Sequence, residues 1–106
     1  MLDFSPYDLK NYLDATPEKP LILDVREPWE YEKASLEDSI LVPMRELPTF
    51  IKELQPDRSV IVVCHHGIRS RAVCRYLEVQ NFTNVINLFG GLDAWAKNVD
   101  PNMPTY

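Results

Sequence analysis

Short apolar runs alternate along this chain with stretches of helical spacing. Leu21-Ile22-Leu23-Asp24-Val25, Ser39-Ile40-Leu41-Val42, Val60-Ile61-Val62-Val63 and Asn84-Val85-Ile86-Asn87-Leu88 each read as a buried strand, the second stopped by Pro43. Between them lie helix signals. Ser5-Pro6-Tyr7-Asp8 predicts a helix start, with Ser5 as cap, Pro6 in the first turn and Asp8 reaching back. Leu9, Tyr12 and Leu13 then share one apolar face. Pro28 opens a short helix to about Lys33. Leu47, Phe50, Ile51 and Leu54 carry helical spacing, with Pro48 in the first turn. A further helix runs from the loop after Val63 to about Val79, and Gly90-Gly91 precede one containing Leu92, Trp95 and Ala96. The Pro-rich stretch from Val99 to Tyr106 reads as irregular. Alternating β and α elements predict an α/β fold, a parallel sheet with helices on both faces.

In such sheets, sites form beyond the carboxyl ends of the strands. Cys64-His65-His66-Gly67-Ile68-Arg69-Ser70 occupies one such end, between an apolar strand and a helix. Backbone N–H groups and the positive end of a helix dipole favour a thiolate there, and the thiolate is the nucleophile. Gly67 allows backbone angles that a side chain resists, and Arg69 sets a permanent cation beside the anion the site would handle. Asp24-Val25-Arg26 occupies a second strand end, so the two stretches can meet in space.

Composition narrows the partners. A chain of 106 residues predicts one domain spanning 1–106. Its net charge of −5 argues against nucleic acid or an anionic membrane as partner. The local cluster of Arg69, Arg71 and Arg75 opposes that sign and suits a small anion. Two cysteines, Cys64 and Cys74, make no disulfide framework and fit a reducing compartment. With no basic-then-apolar start and no run able to span a bilayer, a cytoplasmic location is the expectation.

Three segments in order resemble the rhodanese family of sulfurtransferases. The Cys64 loop is similar to the family's C-x-x-G-x-R-S loop. Asp24-Val25-Arg26-Glu27 followed by Trp29-Glu30-Tyr31 resembles D-x-R-x-x-x-E-[YF], and Gly90-Gly91-Leu92-Asp93-Ala94-Trp95 resembles G-G-x-x-A-W. Ala34-Ser35-Leu36-Glu37-Asp38-Ser39 departs from the family's G-H-I-x-G-A, so the connection there has its own geometry. The resemblance implies a rhodanese-like three-layer fold with about five strands. It implies transfer of sulfane sulfur from thiosulfate or a persulfide donor to a thiol, a protein acceptor or cyanide, through a persulfide on Cys64. His65, His66, Gly67, Ile68, Arg69 and Ser70 would form the substrate loop. Arg69 would hold the oxyanion end of thiosulfate, and the histidines would add positive charge near neutral pH. Arg26 would support the loop structurally. No cofactor is implied.

Plainer readings stand beside these. Cys64 could be a small buried apolar residue, and Cys74, well inside a helix, reads as packing. The loop histidines are either substrate-facing or without a fixed role. Asp24 either caps a local turn or accepts bonds from the loop or a neighbouring arginine. Cys64-His65-His66 is read as no metal set, because adjacent ligands point apart and no fourth partner is evident. A persulfide carrier without turnover, or a protein-binding module, remains an alternative activity. A cysteine-loop phosphatase or arsenate reductase is disfavoured, since only four residues separate Cys64 from Arg69.

Overall fold

The computed structural model describes residues 1–106. Its elements run β1 (Leu2–Phe4), α1 (Pro6–Ala15), β2 (Leu21–Asp24), α2 (Pro28–Lys33), β3 (Ser39–Leu41), α3 (Leu47–Phe50), β4 (Val60–Val63), α4 (Ile68–Val79), β5 (Val85–Leu88) and α5 (Gly91–Asn98). Single 3-10 turns flank α3 at Met44–Glu46 and Ile51–Glu53. All pairings are parallel, in the order β1-β5-β4-β2-β3, which makes the five-stranded sheet of an α/β fold that the resemblance implies.

Local chemistry explains the main boundaries. Ser5 and Asp8 form the predicted reciprocal cap of α1, with the Asp8 N–H donating to Ser5 Oγ at 3.1 Å and the Ser5 N–H donating to Asp8 Oδ2 at 3.2 Å. Pro48 sits in the first turn of α3, where its missing N–H costs nothing. Residues of β2, β4 and β5 are all buried, and their side chains alternate between two apolar layers. Leu21, Leu23, Val60 and Val62 pack with Val73, Cys74 and Leu77 of α4. Ile22, Ile61 and Val63 pack on the opposite face with Leu9 of α1 and with Leu92 and Trp95 of α5.

Several sequence expectations change. The stretch read as a second buried strand is the edge strand β3, with Ile40 exposed, because it pairs on one side only. Residues Leu2–Phe4 form an edge strand, in register Leu2↔Ile86, Asp3↔Asn87 and Phe4↔Leu88, although three residues show no usable alternation. The tail beyond Val99 is irregular as expected, yet its last residue packs at the carboxyl end of the sheet. The connection through Ala34–Ser39 is tied down. Tyr31 Oη donates to the Ser39 carbonyl at 2.7 Å, Ser39 Oγ donates to the Leu36 carbonyl at 2.7 Å, and Leu36 is buried. No helix is long and apolar enough to cross a membrane.

Candidate active site

Cys64 follows the last residue of β4, the central strand, and is 1% exposed. Its Sγ accepts from the Gly67 N–H at 3.0 Å and the Ser70 N–H at 3.3 Å, and lies 3.3 Å from Ser70 Oγ. These amides converge because Gly67, at φ 94°, turns the chain sharply into α4. A Cβ there would meet the Gly90 nitrogen at 3.0 Å. The first turn of α4 thus aims two donors at one sulfur.

A second helix braces the loop from behind. The Leu92 N–H of α5 donates to the Cys64 carbonyl at 2.8 Å, and the Asp93 N–H donates to the His65 carbonyl at 3.0 Å. Two N-terminal amides of α5 are therefore spent on the carbonyls of the loop. Gly91 sits between, at φ 65°, where backbone meets backbone.

The arginines are placed differently from each other. Arg26 is fully buried and closes on Asp24 through Nε at 2.8 Å and a terminal nitrogen at 2.7 Å, while its own N–H donates to Asp24 Oδ1 at 3.1 Å. Asp24 thus caps its turn and pairs with a neighbouring arginine; its hydrogen bonds do not reach the Cys64 loop. Burial pulls the Arg26 guanidinium towards neutrality, but the bonds to Asp24 and Tyr106 outweigh it and leave its pKa raised. Arg69 forks its two terminal nitrogens onto Glu30 of α2, at 2.7 and 2.8 Å. That contact raises the Arg69 pKa. The same bonds, working against burial, hold the Glu30 carboxyl down from 4.5 to about 2. The guanidinium expected beside the substrate is thereby charge-balanced by a carboxylate.

Glu30 predicts a pH signature. A carboxyl depressed in the folded state adds stability above its unfolded pKa and loses it as pH falls through the folded value. Stability measured by urea unfolding should fall between about pH 4.5 and 2 in the native protein. Glu30→Gln should flatten that slope; an unchanged slope would assign the acid sensitivity elsewhere.

Tyr106 joins the two ion pairs. Its hydroxyl accepts from Arg26 at 2.8 Å and donates to Glu30 Oε2 at 2.6 Å. Its ring packs on His65 at 4.1 Å between centroids, and edge-on to Trp29 at 5.6 Å. Trp29, Ile68 and Phe89 are exposed, whereas Trp95 is core. The histidines do not diverge as expected. Their rings lie 3.9 Å apart, and with Asp93 they bring ligand atoms within 4.8 Å, because the loop backbone turns sharply at these positions. Burial, then the neighbouring His66, lowers the His65 pKa, a shift that works against the added charge anticipated for this ring. Cys74 is fully buried, and burial pushes its thiol up to about 12.

Glu30, Tyr106 and Asn87, absent from the candidate site residues expected from the sequence, contact Arg69, His65 and Ser70 of the loop. Glu30 lay inside the matched D-x-R-x-x-x-E-[YF] segment, and the signal that could have found Asn87 is an amide in an apolar strand. Tyr106 left no local signal.

Comparisons with known proteins agree with this architecture. A Rhodanese-like domain model matches residues 5–98. A protein named "Sulfurtransferase" from Allochromatium vinosum is 37% identical over 84 residues, covering 79% of this chain and 78% of its own. "Rhodanese-like/PpiC domain-containing protein 12, chloroplastic" of Arabidopsis thaliana is 39% identical over 89 residues, 80% of this chain; the chain spans 30% of that protein's length. The crystal structure of a rhodanese-like domain protein from Staphylococcus aureus superposes with a TM-score of 0.84 at 27% identity, covering 100% of this chain and 99% of that one. With the cysteine loop, the parallel sheet and these matches in agreement, the chain belongs to the family of rhodanese-like domains.

Proposed function

We propose that the protein is a sulfurtransferase that carries sulfane sulfur as a persulfide on Cys64. The carrying observation is the sulfur at the end of β4 with two amide donors aimed at it, at 3.0 and 3.3 Å. The Cys64 thiolate attacks the outer sulfur of thiosulfate or of a persulfide. The new Sγ–S bond forms as the donor's S–S bond breaks, and sulfite or the donor thiolate leaves with the bonding pair. An acceptor thiolate, small or protein-borne, or cyanide then attacks the outer sulfur, and Cys64 departs as thiolate. The amides stabilise negative charge on sulfur at both stages.

The test is the intact mass after incubation with thiosulfate. A gain of one sulfur atom, lost on adding cyanide, supports the proposal. No gain with either thiosulfate or glutathione persulfide refutes it. Loading without multiple turnovers in the presence of acceptor would instead make the protein a carrier.

Arg69 supplies a second check. Both of its terminal nitrogens are committed to Glu30, so its part is to pin α4 against α2. Arg69→Ala should slow loading from thiosulfate and from glutathione persulfide by similar factors. About ten-fold is expected for one lost charge-assisted contact. A loss confined to thiosulfate would give Arg69 the oxyanion instead.

A further inference from the structure

Cys64 is connected to the sheet edge by a chain of polar side chains that crosses an otherwise apolar region. Ser70 Oγ lies 3.3 Å from Cys64 Sγ and 2.5 Å from Asn87 Oδ1. Asn87 Nδ2 donates to Asp3 Oδ1 at 3.0 Å, and Arg71 donates to Asp3 Oδ2 at 3.0 Å. Ser70 and Asn87 are both buried.

The proton positions in this chain follow from donor and acceptor chemistry. The Asn87 contact heads the causes that lower the Asp3 pKa, so Asp3 is an ionised acceptor. An ionised carboxylate cannot donate, so the amide nitrogen of Asn87 must face it. The amide oxygen must then face Ser70. That oxygen cannot donate either, so the single proton of the Ser70 hydroxyl lies towards Asn87. What Ser70 turns to Cys64 is therefore an oxygen lone pair. The arrangement suits a protonated thiol, which donates S–H to Ser70 Oγ. It opposes a thiolate, which meets a lone pair unless Ser70 swings its proton over and leaves Asn87 Oδ1 buried without a donor.

We propose that Asn87 is a positioning residue that acts through Ser70, holding the Ser70 proton away from sulfur. The Cys64 anion stays less hydrogen-bonded than its surroundings could make it, and so more nucleophilic. Once Sγ has bonded to the transferred sulfur, the negative charge moves one atom outward. Sγ then no longer needs the proton that Asn87 withholds, so the amide favours the loaded state over the free thiolate. This rests on the reading of Cys64 as the sulfur carrier.

The test is a double-mutant cycle on Asn87→Leu and Ser70→Ala. The readout is the iodoacetamide alkylation rate of Cys64, at a pH high enough to ionise the thiol in all variants. In Asn87→Leu the freed Ser70 proton turns to the sulfur. Alkylation should slow by about three- to ten-fold, because hydrogen bonding damps thiolate nucleophilicity. In the Ser70→Ala background the same Asn87 change should have no further effect. Asp3→Ala, at the exposed sheet edge, releases the amide orientation and should slow alkylation by about two-fold or more through the same link. It carries the cycle if Asn87→Leu does not fold. Equal slowing with and without Ser70, or no slowing in either variant, overturns the proposal. Alkylation does not need a sulfur donor. A protein that alkylates as described but never gains sulfur would refute the proposed function and leave the Asn87 linkage standing.

Discussion

Cys64→Ser should bring sulfur loading to background while the protein stays folded. The replacement keeps a small group at a buried position, with the Gly67 and Ser70 amides still available to its oxygen. A serine hydroxyl is un-ionised at neutral pH and forms no persulfide, so the loss should be on the order of 10⁴-fold or more. The other thiol cannot substitute. Cys74 is buried in the layer beneath α4, and its thiol is pushed up to about 12. Cys74→Ser should therefore keep its loading. Intact mass and peptide mapping after thiosulfate treatment check both variants. Sulfur found on Cys74 in the Cys64→Ser protein would overturn the assignment.

Gly91→Ala should damage both fold and loading. A Cβ at Gly91 would lie 2.3 Å from the His65 carbonyl oxygen and 2.6 Å from that of Cys64. Both are backbone atoms, so no side chain can rotate away. The residue also sits at φ 65°, a region costly for alanine. Relief requires α5 to retreat, which breaks the Leu92 and Asp93 bonds to the loop carbonyls. A destabilisation of about 3 kcal/mol or more is expected from the clash, the strain and the lost bonds. Thermal unfolding should show a lowered Tm, and loading should drop even at temperatures where the protein stays folded. A native Tm with native loading would mean the α5 brace is dispensable.

Elements with a local signature were legible in the sequence. The Ser5–Asp8 cap, the Pro28 helix start and the buried runs of β2, β4 and β5 depend on neighbours a few residues apart, and each has its predicted type. The loop's Gly67 turn was legible for the same reason. β1 was not, because three residues acquire strand character only by pairing with β5. Contacts between distant residues escaped altogether. Glu30 meets Arg69 across 39 positions, and Tyr106 meets Arg26 across 80. Nothing local in the sequence says that Arg69 will be neutralised, so its free charge was the natural expectation. Asn87 was different. A lone amide in Val85-Ile86-Asn87-Leu88 must find partners when buried, and that requirement is enough to flag it from the strand's residues alone.

The contact between Tyr106 and Trp29 gives the protein an optical reporter. Its two tryptophans divide cleanly, Trp95 in the core and Trp29 55% exposed at the site, edge-on to Tyr106. Tyr106 in turn rests on His65, the residue after Cys64. A displacement of Tyr106 from this contact would change the surroundings of the Trp29 indole. Tryptophan emission, compared between the native protein and Trp29→Phe, should therefore report the position of Tyr106 with no attached dye.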